Sequence, residues 1–210
     1  MTSDPGAAAP APVAKITPAT VAIPVTPVTV YQALLQRRTA WRFKPEPVSP
    51  GAIRRMLETA VWAPNHRLTE PWRFFVLGKD SSMRREVAQL AYEFSLQGSD
   101  NTARAEAARN KVLDPPVLMY VYCVPGPNEE VTRENYASVC CAVQNMALAG
   151  VAEGLAVAWD TGRATRHPRL KETLGAAADW TMTAMLSIGV PDESLAPPRT
   201  PVAQFATWFE

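Results

Sequence analysis

The chain is poor in the two residue types that build most metal and disulfide sites, with three cysteines and two histidines among 210 residues. Cys140 and Cys141 are adjacent and Cys123 stands alone, so they do not form a disulfide framework. No C-x-x-C or H-x-x-x-H spacing is present, which argues against a bound metal ion. We therefore expect buried, reduced thiols, no metal site and a cytoplasmic protein.

Neither an excess of one charge nor a long hydrophobic run is present. The chain carries 21 basic and 20 acidic residues, which leaves no electrostatic footprint for nucleic acid or for an anionic membrane at the level of the whole chain. No apolar stretch approaches the length needed to span a bilayer. Since 47% of the residues are hydrophobic, a sizeable core can be buried, as expected of one domain with a tail.

The sequence also lacks the motifs of the common nucleophilic and nucleotide-binding enzymes. It has no G-x-S-x-G, no G-x-G-x-x-G after a strand and no G-x-x-x-x-G-K-[ST]. His167 precedes a proline that begins a helix, so we expect it to be structural or exposed. A hydrolase would have to use His66, and no nucleophile stands near it in the sequence. A chain so poor in catalytic side chains favours chemistry carried out by a bound cofactor.

Residues 1–28 differ from the rest because they have few charges and many prolines. Asp4 and Lys15 are their only charged side chains, and prolines stand at 5, 10, 12, 18, 24 and 27. Prolines at this density exclude a helix and weaken any strand, so we predict a disordered tail. The tail lacks the basic start and the continuous apolar stretch of a signal peptide. The fold is therefore expected to occupy residues 29–210.

We predict that this tail is dispensable. Its composition cannot bury enough apolar area to offset the entropy lost on ordering the chain. Deleting residues 1–26 should leave the melting temperature and the cofactor content of the purified protein unchanged within error. A large drop in either quantity would show that the tail packs on the fold.

Hydrophobic periodicity and capping signals predict helices and strands after the tail. Thr29-x-x-Gln32 is a capping box for a first helix, and Ser49-Pro50 supplies the cap and first turn of a second. Residues 97–112 are helix-capable but have little apolar face, so we expect them to be mobile and to lie on the surface. Because helices and strands alternate irregularly, the sequence predicts an α+β fold, a small sheet with helices packed on it. The other predicted elements are helices from Asp80–Ser82, over 133–153 and between His167 and Gly175, and strands over 72–77, 117–123, 155–159 and 182–188.

The stretch Glu58–Gly78 places a polar loop between a predicted helix and a predicted strand. Proline biases the residue before it away from helix, so the helix should stop near Ala63, and Pro64 and Pro71 hold the loop at both ends. Such a loop can present polar side chains to a ligand, although an ordinary helix-to-strand connection would have the same outline. Its polar residues are Asn65, His66, Arg67 and Thr69.

Three arginines cluster at the end of the first predicted helix, at Arg37, Arg38 and Arg42. The planar guanidinium binds phosphate through two parallel hydrogen bonds, and Thr39 adds a hydroxyl donor. Arg199 lies far away in sequence between prolines, where a second phosphate ligand would be well fixed. The same cluster is also compatible with an ordinary solvated surface patch.

Four motifs follow one another along the chain. They are RRTAWRF at 37–43, APNHRLTEPWRFFV at 63–76, a small-residue helix running into GLAVAWDTG at 154–162, and IGVPDE at 188–193. Together they resemble the nitroreductase family of FMN-dependent flavoproteins, and most closely its compact subgroup. The similarity covers about 29–210 in the right order. The joint occurrence of the four motifs is specific, whereas no single one would be.

The resemblance implies a nitroreductase-like α+β fold, with a long central helix at a homodimer interface and FMN bound between the subunits. NADH or NADPH would deliver hydride to flavin N5, and the electrons would pass to a nitroaromatic, a quinone or a similar small-molecule acceptor, with no catalytic side chain required. The cofactor-binding residues that it implies are Arg37, Arg38 and Thr39 at the phosphate and ribityl chain, His66 with Trp62 and Arg67 from the partner subunit, Trp159, Asp160, Thr161 and Gly162 at the isoalloxazine, Ala149 near the nicotinamide nucleotide, and Arg199 at the phosphate.

The sequence departs from the family pattern at two tryptophans. Trp41 stands where many members carry a basic residue that contacts the flavin, and Trp62 where close relatives often have arginine. A cation near the pyrimidine edge stabilises the anionic reduced flavin, so both departures should lower its potential unless Arg42 or Arg67 compensates.

A homodimer is also expected from the residues themselves. The long predicted helix carries more apolar surface than one small sheet can cover, and the terminal QFATWF segment has no partner in its local sequence. Two alternatives stay open beside the nitroreductase activity. One is a flavoenzyme of the same fold with other chemistry, such as dehalogenation or azoline oxidation, and the other is a flavin-binding protein without turnover.

Overall fold

The computed structural model describes residues 28–97, 100–193 and 196–209. The predicted tail lies outside the described residues as far as position 27. The described ranges contain six α-helices and four β-strands. In chain order these are α1 Val30–Gln36, α2 Pro50–Ala60, β1 Trp72–Gly78, α3 Ser82–Leu96, α4 Thr102–Leu113, β2 Val117–Cys123, α5 Glu129–Ala152, β3 Ala156–Asp160, α6 Leu170–Leu174 and β4 Thr181–Gly189.

The strands form one sheet in the order β1-β2-β4-β3. Every neighbouring pair is antiparallel, and the register between β2 and β4 shifts between Val121 and Tyr122. The predicted α+β fold with a small antiparallel sheet is therefore confirmed. β2 is buried along its whole length, as expected of a central strand with helices on both faces.

Side chains of β2 alternate between two hydrophobic cores, because successive residues of a strand point to opposite faces. Met119 and Val121 face the core shared with α2 and α5. Leu118, Tyr120 and Tyr122 face the core shared with α3, α4 and α6. The sheet is thus the middle of three layers, and its β3 edge connects directly to α5 through Gly154.

The helix starts follow local capping chemistry. Thr29 and Gln32 form the predicted capping box of α1, and Ser49 accepts the N–H of Gly51 at the start of α2. α5 begins at Glu129, earlier than predicted, because the Asn128 side chain accepts the N–H of Val131 and two acidic residues occupy the first turn. Within the described ranges, no helix is both long enough and apolar enough to cross a membrane.

Helix α4 corrects the expectation of a surface-lying segment at 97–112. It packs against α3, and its Ala105 and Val112 side chains are fully buried. These two small side chains are enough to pack α4 on α3, because alanine lets the two helices approach closely. Its C-terminal end is fixed by Lys79, whose ammonium donates to the carbonyls of Leu113 and Asp114 at 2.7 Å each.

A fully buried arginine, which the sequence did not reveal, lies beneath the same end of α4. Arg84 of α3 is 0% exposed. Its Nε donates to the carbonyl of Val112 at 2.8 Å, and its Nη1 donates to Leu77 at 3.3 Å. The guanidinium also donates to the carbonyls of Pro115 and Pro116. Burial lowers the pKa of Arg84, and these carbonyls replace the water that the cation has lost.

Candidate functional site

The first and the fourth sequence motifs lie side by side. Phe43 pairs with Pro191 as an isolated antiparallel bridge, and the N–H of Asp192 donates to the carbonyl of Arg42 at 3.0 Å. The Glu193 carboxylate accepts the N–H groups of Trp41 at 2.6 Å and Arg42 at 3.1 Å. These two hydrogen bonds lower the pKa of Glu193. The segment that follows α1 is therefore held in place by the residues that follow β4.

A cavity of about 300 Å³ opens beside this paired region. Arg37 and Arg38 lie at its polar side, and small aliphatic side chains from α5 and β3 form its walls. The cavity thus brings residues of the first, third and fourth motifs together. The other lining residues are Gln36, Ala40, Ala147, Val151, Gly154, Leu155, Ala156, Val157, Pro191 and Glu193.

The donor set of this cavity suits an anionic group. Within the described residues, the Arg37 guanidinium has no hydrogen-bond or ion-pair partner, and Arg38 donates to the carbonyl of Arg37 at 2.7 Å. Glu193 is the only acidic residue among those that line the cavity, and its carboxylate already accepts two backbone N–H groups. Thr39 is half-buried next to the two arginines but does not line the cavity. A partly buried, unpaired guanidinium beside apolar walls is a ready phosphate ligand.

The turn after β3 is the second part of the candidate site. The Asp160 side chain accepts the N–H of Gly162 at 2.6 Å and thereby shapes the turn. Trp159 donates from Nε1 to the carbonyl of Thr183 at 3.3 Å, which ties the turn to β4. Thr161 is exposed within it. Because Ala156 and Val157 of the same strand line the arginine cavity, this turn and the cavity lie at one edge of the sheet.

The loop after α2 is the third part, and its backbone is strained. Arg67, Leu68 and Glu70 have positive φ angles of 65°, 49° and 46°, a region that costs non-glycine residues about 1–3 kcal/mol each. Asn65 holds the loop in this form. Its Oδ1 accepts the N–H of Glu70 at 2.7 Å, and its Nδ2 donates to Ser138 of α5 at 3.3 Å.

The His66 and Arg67 side chains of this loop contact α5 at Glu134, far from the arginine cavity. His66 Nδ1 lies 3.0 Å and Arg67 Nε 3.8 Å from the Glu134 carboxylate, and Trp62 is 46% exposed. Glu134 and the cavity residue Ala147 are 13 positions apart on one helix, which is roughly 20 Å at about 1.5 Å per residue. Within one chain, His66 therefore does not reach the arginine cavity.

Two further predicted residues lie outside the cavity. Ala149 is half-buried and packs on the hydrophobic core, while its neighbours Ala147 and Val151 on α5 line the cavity instead. Arg199 donates to the carbonyls of Pro197 and Pro198 at 3.2 Å each and does not line the cavity.

A larger cavity, of about 750 Å³, lies elsewhere among the described residues and not beside the arginines. It lies between α2, the 43–50 segment and the β1 edge, with Ile53, Leu57 and Val76 among its apolar residues. Charges of both signs surround it, and only Phe43 and Val76 come from the motifs. The larger volume does not make this cavity the better candidate. Unlike those of the arginine cavity, its charged side chains are not mainly of one sign.

Two residues that the sequence did not indicate also contact parts of the candidate site. Glu193 accepts the N–H groups of Trp41 and Arg42, and the Lys111 ammonium contacts the Asp160 carboxylate. Glu193 ends the IGVPDE motif and could have been suspected from that motif, whereas Lys111 stands in a helix without any motif. The described residues contain no group of three or more His, Cys, Asp or Glu side chains that could hold a metal ion.

Comparison with known proteins identifies the family and the fold. The model of the nitroreductase family matches residues 34–190. YdjA of Escherichia coli K12, which carries the provisional name NAD(P)H nitroreductase, is 31% identical over 185 residues, covering 85% of this chain and 98% of its own length. A nitroreductase-like family protein from Bacillus cereus superposes with a TM-score of 0.79 at 24% identity, over 89% of this chain and 98% of that chain. A protein from Desulfovibrio desulfuricans, solved in complex with FMN, superposes with a TM-score of 0.68 at 25% identity, over 88% of this chain and 100% of that chain. The chain belongs to the nitroreductase family.

Proposed function

We propose that this protein is an FMN-dependent oxidoreductase that uses NADH or NADPH. The observation that carries the proposal is the unpaired Arg37 guanidinium in a cavity whose walls are apolar. A phosphate there would meet a cation that no described carboxylate already neutralises. The name of YdjA and the FMN bound to the Desulfovibrio protein support the same assignment.

Each part of the site has a separate task in this proposal. Arg37 and Arg38 bind the phosphate of FMN, with the Thr39 hydroxyl as a further donor, and the apolar walls from α5 and β3 exclude water. The turn Trp159–Gly162 orients the ring system by its backbone groups. Arg199 and Ala149 keep the roles that the family resemblance implies, as a phosphate ligand and a neighbour of the nicotinamide nucleotide.

The chemistry is that of the cofactor, since the site holds no nucleophile and base pair. When bound, FMN would take a hydride from NADH or NADPH and give the electrons to a nitroaromatic, a quinone or a similar acceptor. The protein contributes binding, orientation and a fixed charge distribution around the ring. The expectation of buried thiols holds only for Cys123, since Cys140 is half-buried and Cys141 is exposed. All three cysteines are free, which supports a reducing compartment, and we propose the cytoplasm.

A second copy of the chain completes this site in the proposal. Glu134, which His66 and Arg67 contact, lies roughly 20 Å along α5 from the cavity residue Ala147 at about 1.5 Å per helical residue. His66 and Arg67, with Trp62 of the same segment, would therefore serve the cavity of a partner. Apolar side chains left uncovered in the single chain support such a partner. They include Val30, Tyr31 and Leu35 of α1 and Phe205, Trp208 and Phe209 near the C-terminus. Much of the apolar face of α5, in contrast, is covered by the sheet and α2 of the same chain.

We therefore predict a stable homodimer. Phe209 is 94% exposed and favours burial against another chain, because removing large apolar groups from water lowers the free energy. Analytical ultracentrifugation should give twice the chain mass of 22.9 kDa at micromolar concentration. A monomer that carries bound FMN would contradict both the dimer and the shared site.

The rate at which NADH or NADPH is consumed with different electron acceptors identifies the class of acceptor that the protein uses. Nitroaromatic and quinone acceptors should accelerate consumption, since each can take up the two electrons that the reductant supplies. A chain that acts only on halogenated or azoline substrates would support other chemistry on the same fold. A chain that oxidises neither reductant with any acceptor would support a flavin-binding protein without turnover.

A further inference from the structure

Lys111 of α4 joins two parts of the candidate site that are far apart in sequence. Its ammonium contacts the Asp160 carboxylate at the end of β3. The same ammonium lies 4.5 Å from the centroid of the Trp41 ring. Lys111 therefore links the arginine-rich segment, the turn after β3 and a helix that contains no family motif.

Because Asp160 is largely buried, its negative charge acts strongly on neighbouring groups. Its side chain is only 10% exposed, whereas that of Lys111 is 40% exposed. A carboxylate with little water around it exerts a longer-ranged field than an exposed one, so it opposes the arrival of negative charge nearby. An adjacent ammonium cancels most of that field.

Two other cations of the sequence motifs, Arg42 and Arg67, are paired with other carboxylates. Arg42 lies 3.7 Å from Glu193, and Arg67 lies 3.8 Å from Glu134. Lys111 is thus the cation that contacts Asp160 in the described part of the chain. The electron-rich face of Trp41 gives it a second favourable contact and limits where the flexible side chain can go.

We propose that Lys111 sets the electrostatic balance at the ring end of the site by neutralising Asp160, with Trp41 holding the ammonium in position. This inference rests on the proposed FMN-dependent function. Lys111 is a positioning residue that acts through Asp160, and the quantity that it controls is the relative affinity of the site for oxidised and reduced flavin.

The test is the midpoint potential of bound FMN, measured by anaerobic spectrophotometric titration of the dimeric holoprotein. Lys111→Met leaves Asp160 unpaired and should lower the potential. Asp160→Asn removes the negative charge and should raise the potential. Its amide oxygen can still accept the Gly162 N–H. Each change should alter the ratio of the affinities for oxidised and reduced flavin about tenfold. For a two-electron couple, this corresponds to a shift of about 30 mV in the midpoint potential. The double variant should return close to the wild-type value.

Arg109 supplies a matched control on the same helix. Its side chain is 43% exposed and lies 3.4 Å from Glu106 of α4, not from Asp160. Arg109→Met removes the same charge and should leave the potential unchanged. Lys111→Arg keeps the cation and should remain near wild type.

The outcomes separate this inference from the proposed function. Potentials that are unchanged in Lys111→Met and Asp160→Asn would overturn the inference and leave FMN-dependent activity standing. Equal downward shifts in both variants, with a lower melting temperature and lower FMN content, would assign the pair a purely structural role and also overturn it. A wild-type protein that binds no FMN would overturn the proposed function, and the inference with it.

Discussion

Replacing Arg37 by alanine should weaken FMN binding roughly tenfold to a few hundredfold, since hydrogen bonds to a charged group contribute about 1.5–3 kcal/mol. Arg37 lines the candidate phosphate cavity and has no partner among the described residues, so its loss leaves the phosphate without its main counter-charge. Arg37→Lys keeps the charge but loses the planar fork, and its affinity should fall between wild type and alanine. Isothermal titration of flavin-free protein with FMN measures the effect.

Riboflavin and a second arginine provide the controls. Riboflavin lacks the phosphate, so its affinity should barely respond to Arg37→Ala. Arg54 is exposed on α2 and lines the other cavity, and Arg54→Ala should change FMN binding by less than about 0.5 kcal/mol, as expected of a solvated surface residue. Equal weakening of FMN and riboflavin by Arg37→Ala would mean that Arg37 supports the fold and does not bind phosphate.

Replacing Arg84 by methionine should lower the free energy of unfolding by at least about 3 kcal/mol, because buried acceptors left without a donor cost about 1–3 kcal/mol each. The acceptors are the backbone carbonyls of Leu77, Val112, Pro115 and Pro116, and no side-chain substitution removes them. The melting temperature should fall by roughly 6–12 °C, at about 2–4 °C per kcal/mol for a domain of this size. Thermal and urea unfolding followed by circular dichroism measure both quantities.

The adjacent Arg85 is the control for this substitution. It is exposed, and its contact in the structure is a 3.3 Å hydrogen bond to the Asp80 carbonyl. Arg85→Met should stay within about 0.5 kcal/mol of wild type, as is usual at the surface. An Arg84→Met protein as stable as wild type would show that the four carbonyls find other donors.

Local features of the fold were predictable because short-range chemistry determines them. The capping residues Thr29 and Ser49 begin their helices as expected, and the predicted strand at 117–123 agrees with the structure residue for residue. β1, β3 and β4 lie within one residue of their predicted ends. Alternating or continuous apolar residues bounded by prolines and glycines are enough for such predictions.

Features that depend on tertiary contacts were not predictable in this way. The strand order, the burial of α4 and the internal position of Arg84 depend on which surfaces meet after folding. An arginine on a helix is usually exposed, and nothing in the local sequence of Arg84 marks it as buried. Lys111 was missed for the same reason, since its partners Trp41 and Asp160 are far away along the chain.

The candidate site was predictable where its residues fall within one continuous sequence motif. The sequence pointed to Arg37 and Arg38, and the structure places both in one cavity. The motifs could not reveal that Ala147 and Val151, and not Ala149, line that cavity. A helix presents a different residue every 100° or so, and its rotation relative to the sheet is fixed only by packing.

Anaerobic reduction of the purified dimer tests the central claim most directly. The protein should be yellow with about one FMN per chain, because each cavity offers one phosphate site, and its visible absorbance should bleach on addition of NADH or NADPH. Air or an added quinone should restore the colour. A colourless protein that does not take up FMN, or a yellow protein that neither reductant bleaches, would contradict the account.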